Sequence, residues 1–229
     1  MRKKGLFIVS LVLMLASLQS CGSKPEQNLL KGYFNAVALN DLTTMSTMAV
    51  DPIKIDAASW KIVSAGEEKI VPASLPDLNA KELDLKKQVE QHVGPTLDSK
   101  DTLDVAKDDY NSARSGAAKA AAKAKMDAAQ VKYDEEYKLH QDLQRQYNET
   151  KAAASKEEEI TTFSLGAGQL PNVRELKGDV HSKDIEVDVT LKDGTTKKFK
   201  VTMELYRLKD EAAGIPRNGR WVITKFETL

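Results

Sequence analysis

The middle of the chain, residues 79–159, is rich in Lys, Glu, Asp, Gln and Ala, and its sparse apolar residues include two series that recur three and four positions apart. This spacing places the apolar side chains on one narrow stripe of an α-helix. A stripe so thin is typical of a seam between two helices, not of a helix in a globular core. The stripe residues are Leu103, Ala106, Tyr110 and Ala113, then Met126, Ala129, Tyr133, Tyr137, His140, Leu143 and Tyr147.

This helical segment must fold back on itself if the residues on both sides of it share one sheet. A single helix over residues 97–157 would be about 90 Å long, and the short stretch before it could not bring the chain back. Residues 112–116, Ser-Ala-Arg-Ser-Gly, lie near the centre of the segment. The sequence therefore predicts an antiparallel coiled-coil hairpin that turns there. Gly94-Pro95 is expected to break or kink its first arm.

The residues before the hairpin predict two helices and a strand. Leu29, Leu30, Tyr33, Phe34, Val37 and Ala38 form the apolar face of a first helix. Asp41 is placed to cap a second, short helix. Ile53 and Ile55 then alternate with polar residues, and Trp60 to Val63 continue an apolar strand.

The residues after the hairpin have the alternation of β-strands. Apolar and polar residues alternate over 185–191 and again over 199–205, with Lys192-Asp193-Gly194-Thr195 between them. A two-residue loop would mix the two faces, whereas a three-residue loop, 192–194, pairs Ile185 with Val201 and Val187 with Phe199. Gly194 then takes the left-handed bulge position. A last strand is expected over residues 220–226.

These patterns predict an α+β fold, in which a cone-like domain of helices and antiparallel sheet is interrupted by an antiparallel two-helix coiled-coil hairpin. The expected divisions are 1–20 as a signal peptide, 21–27 as a tether, 28–76 and 161–229 as the two halves of the cone domain, and 77–160 as the inserted hairpin.

The N-terminus combines three basic residues, a short apolar run and then Leu18-Gln19-Ser20-Cys21. A run this short is a signal-peptide segment, since a membrane-spanning helix needs about twenty apolar residues. Cys21, the only cysteine, follows it in a pattern that resembles the lipobox of bacterial lipoproteins. The resemblance implies cleavage before Cys21 and acyl chains on it. Ordinary secretory cleavage nearby and an uncleaved anchor are the alternatives.

Composition narrows the possible partners. The whole chain carries 34 basic and 34 acidic residues, a balance that argues against nucleic acid as a partner. With Cys21 acylated, no thiol remains for a disulfide, a thiolate metal site or a nucleophile. We expect a location in the cell envelope, and Gly22 after the cysteine favours the outer membrane, facing the periplasm, if the cell has one.

Residues 26–64 joined to 180–229 resemble the nuclear transport factor 2-like, or cystatin-like, cone fold of small bacterial lipoproteins. The resemblance rests on a Tyr-Phe-x-Ala-Val helix, a short capped helix, a strand bearing Trp60 and a meander that ends Asn-Gly-Arg-Trp-Val-Ile. It implies a cavity at the mouth of the cone. Phe34, Trp60 and Phe199 are the candidates to line a ligand pocket there.

No catalytic or metal constellation emerges from the spacing. Enzymes of the cone superfamily use an Asp or His base with a Tyr or acid, and Asp56, Asp188, His181 and Tyr206 are the residues of those types here. Nothing in their spacing joins them into one site, and solvated charges on strand faces explain them better, so we expect no catalytic residue. The three histidines lack a second ligand at metal-binding spacing, and no cofactor is expected.

The basic residues Arg114, Lys119, Lys123 and Lys125 at the expected hairpin tip have two interpretations. They could contact an anionic polymer or lipid head groups, or they could pair with acidic residues such as Asp104 across the hairpin.

Three functions are compatible with these observations. The first is a lipid-anchored, non-enzymatic envelope protein whose hairpin binds an unidentified envelope protein or a second copy. The second is a small-ligand-binding module that uses the cone cavity. The third, a cyclase-like or isomerase-like enzyme, requires a buried carboxylate in that cavity.

Overall fold

The computed structural model describes residues 24–166 and 170–229. The fold is α+β: a curled antiparallel sheet forms a half-barrel, and two long helices pack against each other. The chain divides into two compact units. The first contains the described residues up to Val71 with Val180–Tyr206 and Asn218–Leu229, and the second contains Pro72–Asp179 and Arg207–Arg217.

The first unit begins with the two predicted helices. Helix α1 spans Pro25–Ala38 and buries Leu30, Tyr33, Phe34 and Val37, as the apolar spacing predicts, although Ala36 replaces Ala38 on the buried face. Helix α2 spans Leu42–Met45. The prediction of its cap is confirmed, because an Asp41 carboxylate oxygen accepts a hydrogen bond of 3.0 Å from the backbone N–H of Thr44.

Strand β1 spans Ala57–Ala65 and thus begins later than the alternation predicts. The placement of Ile53 and Ile55 in a strand is wrong, although both pack against the core of the first unit. The reason at Ile53 is tertiary: its backbone N–H donates to the Tyr33 hydroxyl at 2.8 Å instead of to a strand. Strand β2, Lys69–Pro72, was not predicted.

The sheet is completed by β3 (Lys177–Leu191), β4 (Thr196–Asp210), β5 (Ile215–Asn218) and β6 (Val222–Thr228). Its order is β1-β3-β4-β5, with β2 also on β3 and β6 also on β4. Strand β1 pairs antiparallel with β3 from Ala57↔Leu191 to Ala65↔Ile185, with two irregularities in register. Such irregularities twist an edge strand and oppose edge-to-edge association.

The hairpin between β3 and β4 turns as predicted. The N–H of Leu191 donates to the carbonyl of Thr195 at 2.7 Å, and the N–H of Gly194 donates to the carbonyl of Leu191 at 3.0 Å. These bonds close a three-residue loop, 192–194. Gly194 has φ +86°, the left-handed region that glycine adopts without steric strain.

The core of the first unit lies between α1, α2 and the concave face of the sheet. It unites residues from both ends of the chain, so neither end could bury its apolar face alone. Its fully or nearly buried members are Leu30, Tyr33, Phe34, Ala36, Val37, Met45, Ala49, Ala57, Ile185, Val187, Val189, Phe199, Val201, Met203 and Ile223.

The second unit contains the two long helices, which we call the arm: α3, Leu75–Ser112, and α4, Gly116–Leu165. The predicted hairpin and its turn are confirmed, and the Ser115 side chain caps α4 by accepting from the N–H of Ala118. Of the predicted break or kink at Gly94-Pro95, the break is wrong, since α3 continues through Pro95, and the kink stays a prediction. The seam residues His92 and Thr96 stay partly buried on both sides of it, so helix pairing overrides the local cost of proline.

Candidate functional site

The arm is a two-helix coiled coil with an almost unbroken heptad. Between Glu82 and Tyr110, the only α3 residues that are not exposed follow each other at alternating steps of three and four. A strict seven-residue repeat implies left-handed supercoiling. These residues are Glu82, Leu85, Val89, His92, Thr96, Ser99, Leu103, Ala106 and Tyr110.

The outer part of the seam is the apolar part that the sequence predicts. Leu103, Ala106 and Ala129 are buried against one another, with Met126 and Tyr133 partly buried beside them. Because these contacts involve small or few side chains, the seam buries little apolar surface, and its contribution to stability is modest.

The middle of the seam is polar, which apolar spacing alone could not reveal. Nε2 of His92 lies 3.0 Å from a carboxylate oxygen of Glu136. Nδ1 of His92 lies 3.2 Å from the Thr96 hydroxyl. The His92 and His140 rings stack with centroids 6.2 Å apart. Nδ1 of His140 is buried without a hydrogen-bond partner. The prediction that His140 sits on the seam is confirmed, whereas the prediction that Tyr137 does is wrong, because Glu136 takes that position and Tyr137 is 45% exposed. We expect this polar layer to specify the pairing of the helices more than to stabilise it.

Arg174 joins the two helices at the far end of the arm from the turn. It lies in a 3₁₀ helix, Val173–Glu175, and donates to Glu82 of α3 at 2.7 Å and to Glu158 of α4 at 2.6 Å. The hydrogen bond to Glu158 is the main reason that the pKa of Arg174 is raised. Ninety-two residues separate Arg174 from Glu82, so no local pattern could have predicted this clamp.

One side of the arm has a shallow groove of about 460 Å³ between α3 and α4, which we call the arm groove. Its floor is apolar, and the side chain at Val105 is 62% exposed. Charged residues form its walls: Asp109 on α3, and Lys125 and Lys132 on α4. The lining residues are Thr102, Val105, Ala106 and Asp109 of α3 with Lys125, Ala128, Ala129 and Lys132 of α4.

The expected pairing of charges across the hairpin near the turn is wrong, and contact of the basic residues there with an anionic partner stays a prediction. Asp104 pairs with Lys100, and Lys123 pairs with Asp127, each within its own helix. Lys119 does cross the hairpin, but it lies over the ring of Tyr110, 5.2 Å from the centroid. Exposed pairs of this kind contribute little to stability.

The three pocket candidates lie in the core of the first unit. Phe34 and Trp60 stack with centroids 4.9 Å apart, and Phe199 meets Phe226 edge to face. Phe34 and Phe199 are buried, and Trp60 is partly buried. Their rings pack on one another and on aliphatic neighbours, and a ligand-binding role for them stays a prediction.

The residues of catalytic type each have a separate partner. Asp56 is exposed and lies 3.8 Å from Lys192, while Asp188 lies between Lys61 at 3.5 Å and Lys198 at 4.0 Å. Nδ1 of His181 lies 2.5 Å from Glu68. The Tyr206 hydroxyl lies 3.3 Å from a carboxylate oxygen of Glu204. Asp56 and Asp188 thus face lysines, whereas His181 and Tyr206 are buried, and these contacts do not join the four residues into one site.

The predicted signal peptide and Cys21 fall outside the described residues. At the end of the arm, Gly166 caps α4 with φ +61°. Over residues 24–166 and 170–229, no helix has the length and apolarity to cross a membrane. Within the same ranges, no group of three or more His, Cys, Asp or Glu side chains is arranged to hold a metal ion.

A scan against protein-family models and searches of curated proteins and of solved structures find no match to this chain. The geometry of the arm is therefore the main guide to function.

Proposed function

We propose that this chain is a lipid-anchored, non-enzymatic protein of the cell envelope that uses its helical arm to bind another protein. The observation that carries the proposal is the distribution of apolar residues on the arm. Its outward faces expose more large apolar side chains than its seam buries. The exposed ones are Leu83, Val93, Leu97, Val105, Val131, Tyr137 and Leu139.

Single exposed apolar residues are ordinary, but on the arm the exposed large apolar side chains outnumber the buried ones. An isolated two-helix hairpin with a thin, partly polar seam also gains little from its own packing, while ordering about ninety residues has a large entropic cost. Contacts with a partner would offset that cost. A long arm of this kind is therefore more easily understood as a binding element than as part of the core.

A photo-reactive amino acid placed at Val105 in intact cells tests the binding role. Val105 is 62% exposed on α3 and lines the arm groove, so we expect it to crosslink to a protein. The matched control is the same amino acid at Val63, which is 49% exposed on β1 of the first unit. Crosslinks from Val63 with none from Val105 would transfer the binding role to the sheet.

The membrane anchor is supported by the position of Cys21 after the signal segment. Three long acyl chains bind a membrane almost irreversibly, because each buried CH₂ contributes about 0.8 kcal/mol. Cys21→Ser should abolish incorporation of a fatty-acid analogue and leave uncleaved precursor. Unchanged labelling of the variant would refute the lipid anchor without affecting the proposal for the arm.

A further inference from the structure

We propose that the occupant of the arm groove is the arm groove of a second copy of this chain, so that two arms form a four-helix bundle. This inference rests on the proposed function of the arm as a protein-binding element and names its partner. Three features of the groove carry it: an apolar floor, small residues at its centre and walls of opposite charge.

The floor of the groove allows another helix to approach closely. Ala106, Ala128 and Ala129 present only methyl groups, and Val105 stands exposed beside them. Small residues let helices approach toward the shorter end of the usual 8–10 Å separation between axes. Two such floors placed face to face would cover the side chain of Val105 in both copies.

The α3 wall is acidic. Asp98, Thr102, Val105 and Asp109 follow each other at steps of four, three and four, so they lie on one face of α3. Over residues 98–109, α3 has five acidic and two basic residues.

The α4 wall is basic. Lys125, Ala128 and Lys132 form the corresponding row, and residues 114–132 include five basic residues and one acidic residue. Within the described ranges, Asp98, Asp109, Lys125 and Lys132 form no ion pair in their own chain. Their charges are therefore available to a partner.

Only one of the two face-to-face arrangements brings these walls together favourably. A two-fold axis parallel to the helices places α3 of each copy over α4 of the other, and every acidic wall then meets a basic wall. A two-fold axis across the helices would place α3 over α3, with acid against acid. The favoured arrangement also keeps both turns at the same end.

The level of the charges along the arm fits the favoured arrangement. Within one arm the two helices run antiparallel, with His92 beside Glu136 and Tyr110 beside Lys119. Counting forward along α3 and backward along α4 from the first of these contacts places Asp98 at about the level of Lys132. In the bundle, Asp98 of one copy then faces Lys132 of the other. Lys125 is long enough to reach Asp109 across the same interface.

Charge reversal tests the arrangement in the full chain, purified in detergent and studied by sedimentation. One variant, Lys125→Glu with Lys132→Glu, has two acidic walls; the other, Asp98→Lys with Asp109→Lys, has two basic walls. The wild-type chain should be a dimer. Each variant alone should self-associate at least about tenfold more weakly, because its four facing charge pairs become repulsive.

Mixing the two variants should restore the dimer, since each acidic wall then meets a basic one. The matched control is Lys107→Glu with Lys138→Glu, two exposed lysines on the same helices but outside the groove row, which should leave the dimer intact. Circular dichroism should show that all variants keep the helical content of the wild type.

Three results would overturn the inference: a monomeric wild-type chain, a dimer that resists both reversals, or variants that fail to rescue each other when mixed. A monomeric chain that still crosslinks through Val105 to a different protein would refute only the second-copy partner. An absence of crosslinks from Val105 would refute the binding role of the arm.

Discussion

The ammonium group of Lys183 on β3 donates a hydrogen bond of 3.0 Å to a carboxylate oxygen of Glu26 at the start of α1, 157 residues earlier. The Glu26 side chain is 2% exposed and that of Lys183 is 19% exposed. This contact therefore ties the beginning of the described chain to the sheet by a largely buried ion pair.

The first prediction concerns this ion pair. Burial alone would raise the pKa of Glu26, but a backbone hydrogen bond and the hydrogen bond and charge of Lys183 outweigh it and lower that pKa. Lys183→Met should reduce the free energy of unfolding at pH 7 by on the order of 3 kcal/mol, because the buried carboxylate loses its partner. Denaturant titration measures the change. Lys61→Met, at an exposed partner of Asp188, should have a much smaller effect.

The same pair predicts a pH dependence. A carboxyl whose folded-state pKa is lowered contributes stability above its unfolded pKa and loses it as the pH falls through the folded value. The wild type should therefore lose this contribution below about pH 4.5, and the difference between wild type and Lys183→Met should shrink there. A constant difference between pH 7 and pH 3 would contradict this account of Glu26.

The second prediction concerns the polar layer of the arm. His140→Leu should stabilise the arm by about 1–3 kcal/mol, because it removes a buried nitrogen that has no hydrogen-bond partner. His92→Leu should do the opposite, because it leaves Glu136 without its partner at 3.0 Å. The helical signal at 222 nm during thermal unfolding compares the two, and equal shifts in the same direction would contradict the assignment.

The third prediction concerns the clamp at Arg174. Arg174→Met should destabilise the arm by about 2 kcal/mol, because the carboxylates of Glu82 and Glu158 lose their shared cation. Hydrogen exchange should accelerate most in the helix segments around these two residues. Lys177→Met, which removes an exposed ion pair with Glu211, is the control and should leave exchange in the arm unchanged.

The fourth prediction concerns Gly178 in β3. Its φ is +149°, and a Cβ there would lie 2.1 Å from the backbone carbonyl oxygen of Arg207. Gly178→Ala should therefore destabilise the protein by more than about 3 kcal/mol or prevent folding, since backbone atoms must move. Gly94→Ala has open space around the new methyl group and should stabilise α3 by about 0.5–1 kcal/mol. Thermal unfolding of both variants tests the contrast.

Local physics explains which elements the sequence could predict. The β3–β4 loop follows from alternation and one glycine, and the α2 cap follows from Asp41, because each depends on neighbours within a few residues. The arm and its turn follow from the thin apolar stripe and the need to return to the sheet. In the first two cases the deciding interactions are visible within one segment, and in the third the order of the helical segment and the flanking strands supplies the rest.

Tertiary structure decided the rest. Ile53 is not part of a strand because its backbone N–H donates to the Tyr33 hydroxyl. Helix α3 continues through Pro95 because helix pairing outweighs the hydrogen bond that proline removes. His92, Thr96 and Ser99 occupy seam positions of the heptad although they are polar, so apolar spacing could not identify them. By itself the sequence determined the periodicities, caps and turns. The partners of Glu26 and Arg174 were decided only by the fold, because contacts between residues so far apart depend on the path of the whole chain.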